Sequence, residues 1–188
     1  MTDINQILKE KGVLLEGHFL LTSGNHSDRY FEKFRILEHP DLCELFAREI
    51  AKRFRSEGIT VVCGPTTGGV IIAYEVARQL GCRCVIAEKA TTGRQIGRGF
   101  QLGPMDRALV VDDVLTTGGS INETLAALAR FPSKVVGIAV FIDRSSGVCF
   151  DQPFFAVYRQ EIRNFPPDNC PLCQAGIPLQ EPGRSGKK

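Results

Sequence analysis

The sequence predicts an α/β fold, with a mostly parallel central sheet flanked by helices and a small N-terminal hood. Two observations carry this prediction. From about residue 41 onwards, short apolar runs rich in β-branched residues alternate with helical patterns, as they do in parallel α/β proteins. Before that point, residues 13–37 carry apolar patches interrupted by Gly17 and by a polar loop, which indicates a hairpin-like subdomain. We therefore divide the chain into a hood (1–38), a core (39–165) and a tail (166–188).

Composition indicates one ordinary soluble domain. The chain has 188 residues, of which 43% are hydrophobic and 23% charged, enough to bury a sizeable core. A net charge of +2 is too small to indicate a nucleic-acid or membrane partner. No apolar run approaches the roughly 18 residues of a membrane span, and residues 1–12 lack a signal-peptide core. Seven cysteines, an odd number, suit a reducing compartment, so we expect a cytoplasmic protein.

The individual elements follow from local patterns. Ile4, Ile7 and Leu8 give residues 2–11 the spacing of a short amphipathic helix. Residues 41–57 repeat apolar side chains at the same spacing, with Asp41 as the expected N-cap. Residues 182–188 are predicted to be disordered. The other predicted elements are strands at 59–64, 82–89, 108–111, 135–142 and 153–160, and helices at 70–80 and 121–130.

The most informative stretch is 108–120, ALVVDDVLTTGGS. A buried strand ends in two adjacent carboxylates, Asp112 and Asp113, and a turn of hydroxyls and glycines then leads into a helix. Ser120 and Glu123 have the spacing of a capping box, which marks the helix start. Backbone amides at a helix N-terminus and the helix dipole attract a phosphate. The turn lacks the Lys of a P-loop and the third Gly of a dinucleotide-binding turn.

An acidic pair beside a phosphate site would repel a bare phosphate. It makes sense where the carboxylates face sugar hydroxyls or a Mg²⁺ ion. The implied ligand is a phosphorylated ribose, and the alternative is an ordinary turn between a strand and a helix.

A second glycine turn, at 66–69, also follows a strand and precedes a helix, so it should lie at the same edge of the sheet. Residues 90–107 form a long connection that contains Arg94 and Arg98 and follows Lys89. Long connections of this kind are usually functional lids or disordered. A cationic lid would suit a pyrophosphate leaving group, and the alternative is a solvated hairpin with scattered charges. Arg144 ends a buried strand, where its planar fork could bind a carboxylate or could pair with Asp143.

The tail contains C-x-x-C, with Cys170 and Cys173. This motif offers two ligands, whereas a structural zinc site takes four, and no histidine lies near it in the sequence, since the last one is His39. A redox role would need the motif at a helix start after a strand. Metal binding, a redox role and neither role therefore stay open.

The stretch VVDDVLTTGGS resembles the phosphoribosyl pyrophosphate motif of the type I phosphoribosyltransferases. The stretch FLLTSGNHS, residues 19–27, is similar to the N-terminal hood of the orotate phosphoribosyltransferases. This resemblance implies transfer of ribose 5-phosphate from 5-phosphoribosyl 1-diphosphate (PRPP) to orotate, in pyrimidine (UMP) biosynthesis. It also implies Mg²⁺ as cofactor, and a homodimer in which the loop at 89–107 reaches the partner's site.

The resemblance also implies a set of site residues. The catalytic residues would be Asp112, Asp113 and Lys89, with the two aspartates meeting Mg²⁺ only through PRPP. Tyr30 and Phe31 would lie along the orotate ring, as an alternative to a purely structural aromatic cluster, and Thr116 and Arg144 would also contact orotate. The PRPP-binding residues would be Thr67, Gly68, Lys89, Arg94, Asp112, Asp113, Val114, Leu115, Thr116, Thr117, Gly118, Gly119 and Ser120.

The chain departs from the family pattern in two places. In the hood, Thr22 and Asp28 stand where many members have Lys and Pro. In the loop, Thr92 and Arg94 stand where the common version has Lys and His. We therefore expect Arg94 or Arg98 to supply the missing positive charge.

Two rival functions remain at this point. One is a phosphoribosyltransferase for a purine base, against which Arg144 and the hood motif argue. The other is a regulator that senses PRPP without chemistry. Such a regulator would tend to carry a basic nucleic-acid face or an appended domain, and the sequence predicts neither.

Overall fold

A computed structural model describes residues 4–21, 23–160 and 163–182. The chain divides into two compact units, one formed by Met1–Glu38 together with Glu161–Lys188, and the other by His39–Gln160. The hood and the tail that sequence analysis separates therefore lie in the same unit. Of the segment expected to be disordered, residues 183–188 lie outside the described part of the chain.

The larger unit is built on a six-stranded sheet with the order β5-β4-β3-β6-β7-β8. All neighbouring strands are parallel except β4 and β5, which form an antiparallel pair at one edge. The mostly parallel sheet predicted from the sequence is thus confirmed. The strands are β3 (Val61–Pro65), β4 (Arg83–Lys89), β5 (Arg94–Ile96), β6 (Arg107–Leu115), β7 (Lys134–Asp143) and β8 (Phe154–Arg159).

Helices cover both faces of this sheet. A Cβ at Gly137 of β7 would contact Phe54 at the end of one helix, whereas the next residue, Ile138, packs in a cluster with Ile121 and Leu128 of another. Successive residues of a strand point to opposite faces, so these two helices lie on opposite sides. The helices of this unit are α3 (Pro40–Phe54), α4 (Gly68–Leu80) and α5 (Gly119–Leu128).

Two local expectations are wrong, and in a third place the structure forms the hairpin that the sequence left open. Helix α3 has His39 as its N-cap and Pro40 inside its first turn, so Asp41 is not the cap; proline suits that position because its missing N–H would have no partner there. Strand β6 continues past residue 111 to Leu115, because β7 pairs with it as far as Asp143. The long connection at 90–107 contains β5, which folds back on β4 and shortens the irregular segment.

The smaller unit contains a three-stranded antiparallel sheet with the order β1-β2-β9. The predicted hairpin corresponds to β1 and β2, and β9 adds a strand from the C-terminal part of the chain. The C-terminal segment also runs beside β1, where Leu20 N–H donates to the Gln180 carbonyl at 2.9 Å. The elements are α1 (Ile4–Glu10), β1 (Leu14–Leu20), β2 (His26–Phe31), α2 (Phe34–Glu38), β9 (Asn164–Phe165) and α6 (Pro171–Gln174).

All seven cysteines are free thiols. In the larger unit, burial raises the pKa of the Cys63 thiol to about 12, so this thiol stays protonated and unreactive at neutral pH. Among the described residues, no helix combines the length and apolar character that a bilayer crossing requires.

Helix α4 approaches strand β3 closely at Gly64. A Cβ built at this position would overlap the carbonyl oxygen of Gly69, at the start of α4, and would lie 2.8 Å from the Cβ of Ala73. Both obstacles are backbone or directly attached to it, so neither can rotate away. Gly64 therefore sets the distance between the sheet and the N-terminal end of α4.

We predict that Gly64→Ala lowers the free energy of unfolding by about 1–3 kcal/mol or more, because the extra methyl overpacks a rigid contact. Urea unfolding followed by circular dichroism measures this loss. The control is Gly103→Ala, since a Cβ at Gly103 meets no atom within 4 Å; its change should stay within about 0.5 kcal/mol. Equal midpoints for the two variants would contradict the predicted contact.

Candidate active site

The two adjacent aspartates lie near the carboxyl end of β6, and their side chains are largely buried. Asp112 is 7% exposed and Asp113 is 5% exposed. Asp112 Oδ1 accepts from the Asp113 amide at 2.8 Å, and Asp113 Oδ1 accepts from the Val114 amide at 2.7 Å. These bonds to the backbone hold each carboxylate in one orientation, so both acidic groups are preorganised at the carboxyl end of a central strand.

The turn after β6 leads directly into α5. Gly118 is the N-cap of this helix and has a φ of 80°, a left-handed conformation that glycine adopts without strain. The segment 112–121 lines a small cavity of about 40 Å³. A single water needs about 10–15 Å³ measured in this way, so the cavity accommodates a group larger than a water molecule.

The capping box expected from Ser120 and Glu123 is not formed. Ser120 lies inside the first turn of α5, and the N-cap makes no side-chain hydrogen bond. Both residues instead contact Arg94. The Arg94 Nη2 donates to Ser120 Oγ at 3.2 Å, and Arg94 Nε lies 3.4 Å from Glu123 Oε2.

Arg94 connects three parts of the site from the interior of the unit, where it is 7% exposed. Besides Ser120, its Nη1 donates to Thr66 Oγ1 at 3.2 Å and to the Ala87 carbonyl of β4 at 3.1 Å. The position of Arg94 in β5 explains this, because the strand pairing places it beside the end of β4. The residue expected on a lid is therefore part of the framework that joins the two glycine turns.

The second glycine turn lies beside the acidic pair. Thr67 is the N-cap of α4 and Gly68 its first residue. A Cβ at the following Gly69 would lie 3.1 Å from Asp112 Oδ1, so the backbone of this turn passes close to the carboxylate. The structure thus brings the turns at 66–69 and 112–120 together, as expected from their common position after parallel strands.

Arg144 follows β7 at the same edge. Its backbone amide donates to the Leu115 carbonyl at 3.1 Å, which places it next to the start of the turn after β6. The Asp143 carboxylate accepts from Ser145 Oγ at 2.7 Å and lies 3.6 Å from Arg159 Nε. Asp143 therefore has its own partners at this strand end.

The remaining cations of the loop lie nearer to solvent. Lys89, the last residue of β4, is exposed. Arg98 is also exposed, and its Nη2 lies 2.7 Å from Glu88 Oε1. Arg98 and Thr67 help to line a cavity of about 350 Å³, together with Thr66, Val70, Ile71, Ile86 and Glu88.

The two hood aromatics belong to the smaller unit and differ in burial. Phe31 is 5% exposed, whereas Tyr30 is partly exposed and lies 5.8 Å, between ring centroids, from Phe19. As neighbours in β2, Tyr30 and Phe31 point to opposite faces of the strand.

Sequence reasoning missed the roles of Thr66 and Glu123 as partners of Arg94. No local pattern indicates them. Thr66 lies 28 residues before Arg94 in the sequence, and the contacts depend on how β5 pairs with β4. It also missed that His18 and His26 lie beside the C-x-x-C motif.

Comparison with known proteins agrees with this geometry. The family model for the phosphoribosyl transferase domain matches residues 35–165. An orotate phosphoribosyltransferase of Pelotomaculum thermopropionicum is 45% identical over 182 residues, which cover 96% of each chain. One of Caldanaerobacter subterraneus is 42% identical over 179 residues, covering 95% of this chain and 94% of the relative.

Solved structures show the same fold. The crystal structure of orotate phosphoribosyltransferase from Aeropyrum pernix superposes with a TM-score of 0.73 at 25% identity, covering 84% of this chain and 93% of the other. An adenine phosphoribosyltransferase from Trypanosoma brucei, at 16% identity and a TM-score of 0.62 over 85% of this chain and 81% of that one, shares the fold alone.

The fold and the site together define a phosphoribosyltransferase, an enzyme that transfers a pentosyl group. Because the relatives match over nearly their full length, the chain belongs to the orotate phosphoribosyltransferase family.

We predict that Arg94→Lys destabilises the protein by about 1–3 kcal/mol, because an ammonium group cannot serve Thr66, Ala87 and Ser120 at once and leaves buried acceptors unpaired. Urea unfolding measures the change. Arg130→Lys is the matched control on an exposed arginine of the same unit and should stay within about 0.5 kcal/mol. If both variants unfold at the wild-type urea concentration, the guanidinium does not hold the two turns together.

Proposed function

We propose that this chain transfers the 5-phosphoribosyl group of PRPP to orotate, giving orotidine 5′-monophosphate and diphosphate. The observation that carries the proposal is the acidic end of β6, followed directly by a hydroxyl-rich glycine turn at the N-terminus of α5. This arrangement offers hydroxyl-binding carboxylates and phosphate-binding amides side by side, as a phosphorylated ribose requires.

The 5′-phosphate is assigned to the turn at 116–120. Unpaired amides at the start of α5 and the positive end of its dipole favour an anion. The hydroxyls of Thr116, Thr117 and Ser120 add donors. The cavity lined by this turn supports the assignment, and Val114 and Leu115 contribute to its wall.

The ribose is assigned to Asp112 and Asp113. Their carboxylates accept hydrogen bonds from ribose hydroxyls and stabilise positive charge that develops on the ring. Oxygen donors of this kind also suit Mg²⁺, so the residues present fit the cofactor that the family implies. Asp112 and Asp113 would hold Mg²⁺ indirectly, through PRPP, and the ion would supply neutralising charge for the pyrophosphate.

The reaction breaks the bond between the anomeric carbon and the pyrophosphate oxygen, and the electron pair leaves with that oxygen. A ring nitrogen of orotate then forms the new bond to the anomeric carbon and loses its proton to solvent. Cations near the leaving group stabilise its charge. Lys89 is exposed at the end of β4, so we assign this role to it. Thr67 and Gly68 would border the pyrophosphate. Arg94 is engaged with Thr66, Ala87 and Ser120, which favours a positioning role for it and leaves Arg98 as the second cation.

Orotate is assigned to Arg144, whose fork suits its carboxylate, with help from Thr116. The backbone bond of Arg144 to Leu115 supports this, since it keeps the arginine beside the phosphate turn. From the hood we propose Tyr30 as the contact to the orotate ring. Phe31 is the weaker candidate because it is buried inside the smaller unit.

We further propose a homodimer. Helix α4 exposes two large apolar side chains on one surface, Ile71 with 46% and Tyr74 with 67% exposure. Ile71 also lines the 350 Å³ cavity that Arg98 helps to line. A second copy covering this surface would lie beside the loop at 89–107. Light scattering that gives the mass of a single chain would reject this part. A cytoplasmic location is supported by the free state of all seven cysteines.

The experiment that tests the activity is an assay with PRPP and Mg²⁺ against orotate, adenine, hypoxanthine and xanthine in parallel. We expect pyrophosphate release with orotate at least about 100-fold faster than with any purine, because only orotate offers a carboxylate to Arg144. Turnover of a purine in preference to orotate would replace the proposed substrate. Binding of PRPP without any release would indicate a sensor.

We predict that Asp113→Asn lowers kcat by about 100-fold or more while the KM for orotate changes less than about threefold, because the lost charge acts in the transition state. Steady-state kinetics separates the two parameters. Glu49→Gln makes the same carboxylate-to-amide change on α3 and should keep wild-type kcat. A near-normal kcat for Asp113→Asn would remove this residue from the catalytic group.

A further inference from the structure

The smaller unit brings together two histidines and two cysteines that lie far apart in the sequence. His18 is in β1 and His26 begins β2, whereas Cys170 is the N-cap of α6 and Cys173 lies within that helix. One ligand atom from each side chain lies within 4.8 Å of those of the other three. From this cluster we propose a structural zinc site with two imidazole and two thiolate ligands, which does not depend on the proposed catalytic function.

Most of these distances are close to the edges of a tetrahedron around one ion, and the two nitrogens lie closer together than such a site requires. His18 Nε2 lies 2.9 Å from His26 Nδ1, 3.5 Å from Cys170 Sγ and 3.8 Å from Cys173 Sγ. Cys173 Sγ lies 3.3 Å from His26 Nδ1. With Zn–N near 2.0–2.1 Å and Zn–S near 2.3 Å, tetrahedral geometry requires ligand separations of roughly 3.3–3.8 Å. Small shifts of the side chains are therefore enough to accommodate the ion.

The hydrogen bond made by His18 Nδ1 leaves the lone pair of Nε2 available to a metal ion. His18 Nδ1 lies 2.7 Å from the Ile177 carbonyl oxygen. A carbonyl can only accept, so Nδ1 carries the proton and Nε2 of the neutral ring has its lone pair directed at His26 and the two cysteines. Metal-binding histidines in proteins commonly donate their second nitrogen to a carbonyl in this way.

Burial and charge favour the same conclusion. His18 and Cys170 are each 1% exposed and His26 is 6% exposed. Binding a zinc ion releases the two thiol protons to solvent. The resulting centre, Zn²⁺ with two thiolates and two neutral imidazoles, has no net charge, so it avoids the cost of a buried unpaired ion. Two sulfur and two nitrogen donors in a tetrahedron select zinc over harder cations.

Such a centre would stabilise the smaller unit. Its sheet contains a strand of only two residues, β9. Units of this size with small cores rely on disulfides or metals for stability. A zinc ion would join the β1–β2 hairpin to the segment at 163–180, which the chain reaches only after the whole larger unit. Among the described residues of this unit, the buried apolar ones are Leu8, Val13, Leu14, Phe19, Phe31, Ile36 and Cys170.

The test is the zinc content of the full-length protein, reconstituted with zinc under reducing conditions and dialysed. We expect about one zinc per chain by mass spectrometry, and at least a tenfold lower content in Cys173→Ser. The control is Cys149→Ser, since Cys149 is an exposed free thiol of the larger unit, and it should keep the wild-type content. Replacement of zinc by Co²⁺ should give the absorption of tetrahedral cobalt with thiolate charge transfer in the wild type and not in Cys173→Ser.

Stability gives a second readout. A strong chelator should lower the melting temperature of the wild type and of Cys149→Ser, and should leave Cys173→Ser unchanged because it has no ion to lose. The proposal is overturned if the reconstituted wild type holds less than about 0.1 zinc per chain, or if Cys173→Ser retains the full content. A Cys170–Cys173 disulfide in the protein as purified, with no zinc uptake after reduction, would overturn it in favour of a redox pair.

Discussion

Parallel pairing of β6 with β3 on one side and β7 on the other decides where the candidate catalytic groups lie. Strands that run in the same direction end at the same edge, so each turn that follows them opens there. The pairing of β6 with β7 continues to the last residue of β6, which carries the aspartates to the rim before the chain turns into α5. The groups that chemistry requires come from distant parts of the sequence, and the register of the sheet brings them together.

Charge is distributed over this edge in a way that suits a sugar phosphate. The carboxylates of Asp112 and Asp113 accept hydrogen bonds from backbone amides, which fix their orientation. The turn after them presents amide donors. The groups proposed to bind the phosphate and those proposed to bind the ribose hydroxyls are thus adjacent without neutralising one another. The buried guanidinium of Arg94 donates hydrogen bonds to Thr66 in one turn and to Ser120 in the other, and so links the two turns. Preorganisation of this kind lowers the cost of orienting a substrate.

The sequence predicts what depends on local pattern. Buried strands, the glycine turns after them and the helices that follow all result from apolar periodicity and a distinctive motif, and the structure contains them. Features that depend on pairing were not predictable. Strand β5 exists because it folds back on β4, and this pairing turns Arg94 from a loop residue into an internal link. The proximity of His18 to Cys170, 152 residues later, is likewise a consequence of tertiary structure, and no spacing rule along the chain indicates it.

The central claim is that one strand end and the turn after it hold a phosphorylated ribose from both sides. A crystal structure of the protein with PRPP and Mg²⁺ tests it most directly. In that complex we expect the 5′-phosphate within about 2.7–3.2 Å of the amides of residues 116–120, and the ribose hydroxyls against Asp112 and Asp113. Density for the sugar phosphate anywhere else, such as in the cavity between Thr66 and Arg98 alone, would show that this strand end is not the binding site.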